Sequence, residues 1–123
     1  MSDPVVHFEI IGSDPGRLRE YYGALFGWEF KVGDAVNEEV SEPGAYGFVE
    51  SGINGGIGGG PGYESRVLFY VGVPDVEAAL QEAERLGGRR LMGPVGRDFA
   101  VGHFTDPEGH VIGVAGPPVK EGE

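Results

Sequence analysis

Polar and apolar residues alternate along Val5-Val6-His7-Phe8-Glu9-Ile10-Ile11, which predicts a half-buried strand. Asp14 then offers a helix N-cap with Pro15 at the first helical position. Behind it Leu18, Tyr21, Tyr22, Leu25 and Phe26 recur at helical spacing until Gly27 stops the run. Trp28–Val32 predicts the next strand, and residues 33–44 read as a polar, acidic loop. Tyr46–Glu50 and Ile53–Ile57 are two short strands, the second interrupted by glycine, and Gly58–Tyr63 is the best linker in the chain.

The pattern then restarts. Val67–Val73 predicts a strand, Asp75 an N-cap, and Val76, Ala79, Leu80, Ala83 and Leu86 an apolar helical stripe closed by Gly87-Gly88. Asp75 lies 61 residues after Asp14, and at that offset Phe8 meets Phe69, Leu25 meets Leu86 and Gly27 meets Gly88. Strands at Arg90–Val95, Phe99–Thr105 and Val111–Ala115 complete the second copy. The expected fold is therefore α+β: two tandem β-α-β-β-β units, residues 1–60 and 61–123, with curved mixed sheets forming a cleft.

One helix per unit covers one sheet face, and strand parity assigns the faces. Val6, Phe8 and Ile10 are expected under Leu18, Tyr22 and Leu25, leaving His7 and Glu9 on the open face. Likewise Val67, Phe69 and Val71 face the helix, with Leu68 and Tyr70 open. Asp106-Pro107-Glu108-Gly109 predicts a type I turn closed by a left-handed glycine. If Asp106 pairs with His110, then Thr105 faces Val111, Phe104 faces Ile112 and His103 faces Gly113. His103 then joins the open face, while Phe104, Ile112 and Val114 pack on the helix.

Composition narrows the function. The absence of cysteine removes disulfides, thiolate nucleophiles and cysteine-ligated metals. Twenty acidic against nine basic side chains leave a net charge of −11, and Arg89–Arg90 is the one adjacent basic pair, so neither nucleic acid nor an anionic membrane surface is an expected partner. Such a field would draw small cations. The opening Met-Ser-Asp-Pro lacks a basic n-region and an apolar h-region, so the chain is expected in the cytoplasm. The glycine run from Gly55 to Gly62 has no G-K-[ST] and no G-x-G-x-x-G followed by a helix, and no serine sits in a nucleophile elbow.

The motifs VHFEI…DPGRLREYYGALFGWEF, VLFYVGVPDVEAALQEAERLGG and FTDPEGHVIGV together resemble the vicinal-oxygen-chelate superfamily of glyoxalases, bleomycin-resistance proteins and extradiol dioxygenases. Within it the chain is most similar to bacterial lactoylglutathione-lyase-related proteins, over Val5 to about Ala115. The resemblance implies a cleft lined by four strands which, in metal-using members, carry one ligand each. His7 stands at the first of these positions, but Leu68 and Gly113 stand at two others, and nothing acidic lies between Ser51 and Tyr63 for the fourth. Leucine and glycine donate nothing to a cation, so no metal and no cofactor are expected. The best candidate for a displaced site is His7, Glu9 and His103, a two-histidine, one-carboxylate set if the hairpin register holds.

His7, Glu9, Tyr70 and His103 are thus the candidate ligand-binding residues, each also explicable as a packed or hydrogen-bonded strand residue. The first functional expectation is a homodimeric, metal-independent protein that binds a cationic or partly aromatic metabolite or antibiotic. A glyoxalase-like lyase or isomerase, with His7 or Glu9 as general base or a displaced metal, is a second. Arg66 and Arg97, which could orient an anionic substrate, favour that second reading. A regulatory or structural partner protein with a vestigial cleft is a third.

Overall fold

The computed structural model describes residues 2–118. Its elements run β1 (Val5–Gly12), α1 (Pro15–Phe26), β2 (Lys31–Gly33), β3 (Tyr46–Val49) and β4 (Asn54–Gly59), followed by β5 (Arg66–Gly72), α2 (Val76–Arg85), β6 (Arg89–Val95), β7 (Ala100–Thr105) and β8 (Val111–Gly116). This is the β-α-β-β-β order written twice, the α+β plan that the sequence repeat predicts. The chain divides into two compact units, one of Val6–Leu68 and one of the residues from Phe69 onward with the first few up to Val5.

In the unit Val6–Leu68 the strands lie in the order β2-β3-β4-β1, with β1–β4 parallel and the other pairs antiparallel. Asp14 caps α1 by accepting a hydrogen bond from the Arg17 amide at 3.1 Å, and Gly27 closes it in the left-handed region at φ 71°. The apolar stripe of α1 is less covered than its spacing predicts, and Tyr21, Leu25 and Phe26 are exposed. Trp28 takes the place expected of Leu25: its ring sits 5.2 Å from Phe8, 6.0 Å from Tyr22 and 5.2 Å from Phe26. That packing draws residues 28–30 out of the ladder, so β2 begins at Lys31 rather than Trp28.

The glycine run is mostly strand, not linker. β4 takes in Gly58 and Gly59, which pair with Ile11 and Gly12 of β1. Glycine is required there by neighbouring rings. A Cβ on Gly55 would run into Phe8, and one on Gly56 or Gly58 into Tyr46.

In the second unit the order is β5-β8-β7-β6, with β5–β8 parallel and the rest antiparallel. Asp75 caps α2 through the Ala78 amide at 3.0 Å, and Gly87 follows the helix at φ 107°. The β7–β8 hairpin has the predicted register: Thr105 opposite Val111, Phe104 opposite Ile112 and His103 opposite Gly113. Its turn closes with Asp106 N bonded to His110 O at 3.0 Å and Gly109 at φ 93°. Val76 and Leu80 of α2 bury against Ala100 and Val114, and Phe104 and Val71 pack on that cluster. Gly102 admits Leu80, since a Cβ there would lie 2.7 Å from Leu80 Cδ1.

The exposure of the β5 faces inverts expectation. Val67 and Phe69, expected under the helix, stay outside the α2 cluster and are 72% and 40% exposed. Leu68 and Tyr70, expected on an open face, are buried. α2 spans 10 residues, about 15 Å, and its buried turn reaches β5 only at Val71. Among the described residues no helix is long and apolar enough to cross a membrane.

Candidate functional site

In the unit Val6–Leu68 the candidate chemistry gathers around one phenol. Tyr46 leaves β3 on the same face as His7 and Glu9 of β1. Its hydroxyl donates to Glu9 Oε1 at 2.8 Å and lies 2.9 Å from His7 Nε2. A phenol has one proton to give. With Glu9 as a carboxylate taking that proton, His7 must donate from Nε2 to the phenol oxygen. Burial holds the His7 imidazole below its ordinary value of 6.5, so its neutral form is favoured. The three groups form a hydrogen-bonded chain, His7 to Tyr46 to Glu9, along which a proton can shift between a nitrogen base and a carboxylate.

The second unit carries a shorter version. The Tyr70 hydroxyl lies 2.6 Å from His103 Nε2. The parallel register sets Tyr70 opposite Gly113, and the antiparallel register sets His103 opposite Gly113 from the other side, so both side chains flank the same glycine.

Of the four residues singled out from the sequence, the structure thus joins His7 to Glu9 through Tyr46, and Tyr70 to His103 directly. None of the last three lies on an open surface: Glu9 and His103 are 2% exposed and Tyr70 3%. Two ionisable groups at such burial are costly unless hydrogen-bonded, and the two tyrosine hydroxyls meet that requirement.

Metal ligation fits this chain poorly. Leu68 is buried at one of the positions where metal-using members of the resembled superfamily carry a ligand. At another, Gly113 cannot be replaced in place, because a Cβ there would run into the Tyr70 ring. Among the described residues no three of His, Asp and Glu gather closely enough to hold a metal ion.

Tyr46 is the member of this hydrogen-bonded cluster that sequence reasoning passes over. Its signal is present but indirect: Gly56 and Gly58 alternate along β4, and a strand with glycine on every second position of one face leaves room for an aromatic ring. Only the β3–β4 register tells which ring fills it.

The profile of a family described as a glyoxalase-like domain matches residues 7–115. A glyoxylase-like domain-containing protein of Didymella fabae is 26% identical over 115 residues, which span 85% of this chain and 88% of that one. In fold the chain is similar to a methylmalonyl-CoA epimerase solved in complex with methylmalonyl-CoA and ammonium, with TM-score 0.69 and 18% identity over 95% of this chain and 96% of that one. It is also similar to a glyoxalase/bleomycin resistance protein/dioxygenase superfamily member from Vibrio splendidus, with TM-score 0.57 and 16% identity over 94% of this chain and 99% of that one. At such identities the likeness is one of fold, and reactions vary on a shared fold.

Two outcomes follow from this geometry. A group whose folded pKa is depressed below its unfolded value of 6.5 binds its proton more readily in the unfolded chain, so stability is full above 6.5 and falls as the pH drops below it. His7 should titrate below 6.5 by NMR, and His7→Gln should flatten the loss of stability in that interval; an unchanged slope would show that His7 does not couple to folding. Gly113→Ala should destabilise by roughly 1–3 kcal/mol through overpacking. In a Tyr70→Ala background the same change should cost much less, read by urea denaturation as a double-mutant cycle. Additive costs would mean that the ring is not what excludes a side chain.

Proposed function

Because the chain belongs to the glyoxalase-like domain family, we propose that it binds a small molecule without a resident metal ion, using the polar cluster of each unit: His7 and Glu9 with Tyr46 in one, Tyr70 and His103 in the other. The observation that carries this reading is the exclusion of a side chain at Gly113 by the Tyr70 ring. A position that could hold a carboxylate toward a metal is filled by packing instead, and the polar groups nearby are joined to phenols. Such a set recognises a ligand by exchanging hydrogen bonds, with Glu9 as the group that would meet a cation. The net charge of −11 supports a cationic or partly aromatic ligand, a metabolite or antibiotic held without turnover. We read the protein as cytoplasmic.

A second reading has one observation in its favour. The His7–Tyr46–Glu9 chain joins a neutral imidazole to a carboxylate through a phenol, an arrangement able to take a proton from one atom and return it to another. A glyoxalase-like lyase or isomerase working by acid–base catalysis would use it so.

The two readings separate in one thermal-shift and turnover experiment. A cationic aromatic ligand at 100 times its dissociation constant contributes ~2.7 kcal/mol and should raise the melting temperature by roughly 10 °C. Glu9→Gln should shrink that shift, the exposed control Glu108→Gln should not, and chelator should leave it unchanged. Shifts confined to α-ketoaldehydes or acyl thioesters, with turnover abolished by Glu9→Gln, would replace the binder by the enzyme. No shift from any small molecule would leave a protein partner as the reading.

We further propose a homodimer. Leu25, Phe26, Leu86 and Phe99 are exposed apolar side chains of a kind that pairing would cover. Sedimentation equilibrium should give about twice the chain mass of 13.0 kDa, and a concentration-independent monomer would reject the proposal.

A further inference from the structure

A groove of about 620 Å³ lies within the unit Val6–Leu68, over the face of β1 that carries Ile10 and away from His7 and Glu9. Its apolar wall is made by Leu18, Tyr21, Tyr22 and Val67, and its polar end by Arg17 and Arg66, beside the N-terminal end of α1. Tyr21 and Val67 are exposed along it, so the wall is open to an incoming ring.

Arg66 gives the groove its chemistry. Its Nε is buried and has no hydrogen-bond partner among the described residues. An orphaned buried donor is costly, more so on a charged group, and asks for an acceptor that the chain itself does not supply. Arg85 and Arg90 are joined to glutamates, whereas neither Arg17 nor Arg66 forms an ion pair among the described residues, in a chain with 20 acidic side chains. Asp14 also lines the groove, where its Oδ1 accepts the Arg17 amide in capping α1. With Asp14 on its lining, the groove sets two guanidiniums against one carboxylate, a local excess of positive charge in so acidic a protein.

We propose that this groove binds a small anion with an aromatic or apolar body. A carboxylate or phosphate monoester would accept hydrogen bonds from Arg66 and Arg17 while the body lies against Tyr21, Tyr22, Leu18 and Val67. The site is separate from the His7–Tyr46–Glu9 chain and takes ligands of the opposite charge.

Phenyl phosphate and benzoate are the probes, with inorganic phosphate and benzyl alcohol as half-ligands, followed by ¹H–¹⁵N NMR of the full chain. The Arg66 Nε–H resonance and the amides of Ser13 and Arg17 should move on titration with at least one aromatic anion, and the stronger of the two identifies the head group. Each half-ligand should bind at least about tenfold more weakly than that anion. Arg66→Met, which removes the orphaned donor, should melt no lower than the parent and lose affinity about tenfold or more, as should Arg17→Gln on the exposed helix face. His7→Gln should leave the affinity unchanged, which separates this site from the one proposed above. An Arg66 Nε–H that stays in place at saturating probe, or affinities unaltered in both arginine variants, would overturn the assignment.

Discussion

Each unit sets one tyrosine ring against the backbone of its last strand, and that close approach decides which side chains its neighbours can carry. Tyr46 lies over Gly56 and Gly58 of β4, and Tyr70 over Gly113 of β8. Both strands pair in parallel with the first strand of their unit, which brings the tyrosine hydroxyl within reach of that sheet's polar residues. Tyr46 thereby reaches Glu9 and His7, and Tyr70 reaches His103. Larger residues at these glycines would push the rings away and separate the hydroxyls from their partners. The glycine content that looks like flexibility in the sequence is here a condition of dense packing.

The same contact shapes the chemistry. A glyoxalase-like fold can support a metal only where its strands present donors, and here one donor position is a buried leucine and another lies under a ring. What remains is a set of imidazoles, phenols and a carboxylate tied to each other. Buried groups of this type are stable only while hydrogen-bonded, and the two tyrosine hydroxyls supply those bonds.

Charge is distributed to match. Arg90 bridges Glu77 and Glu84, Arg85 meets Glu82, and Arg19 donates to the Ala45 carbonyl, all of which serve the scaffold. The Arg90 guanidinium holds the Glu77 carboxyl down to about 2. Both side chains remain partly exposed, so the pair adds little to stability. Arg17 and Arg66 stand apart from this use.

The sequence by itself determined the doubled β-α-β-β-β order, both helix N-caps, and the β7–β8 register, because each rests on local signals: alternation, capping residues and a turn of defined length. Strand parity correctly put His7 with Glu9 on one face of β1, and the DPEG turn correctly put His103 opposite Gly113. Tertiary structure decided the rest. Local pattern cannot tell that Trp28 displaces Leu25 beneath α1, that Gly58 and Gly59 are drawn into a strand by parallel pairing with β1, or that the faces bearing Glu9 and Tyr70 are the buried ones. Tyr46 was hidden for the same reason: its two partners lie 37 and 39 residues away, and only the stacking of β3, β4 and β1 brings a phenol, a carboxylate and an imidazole to one point.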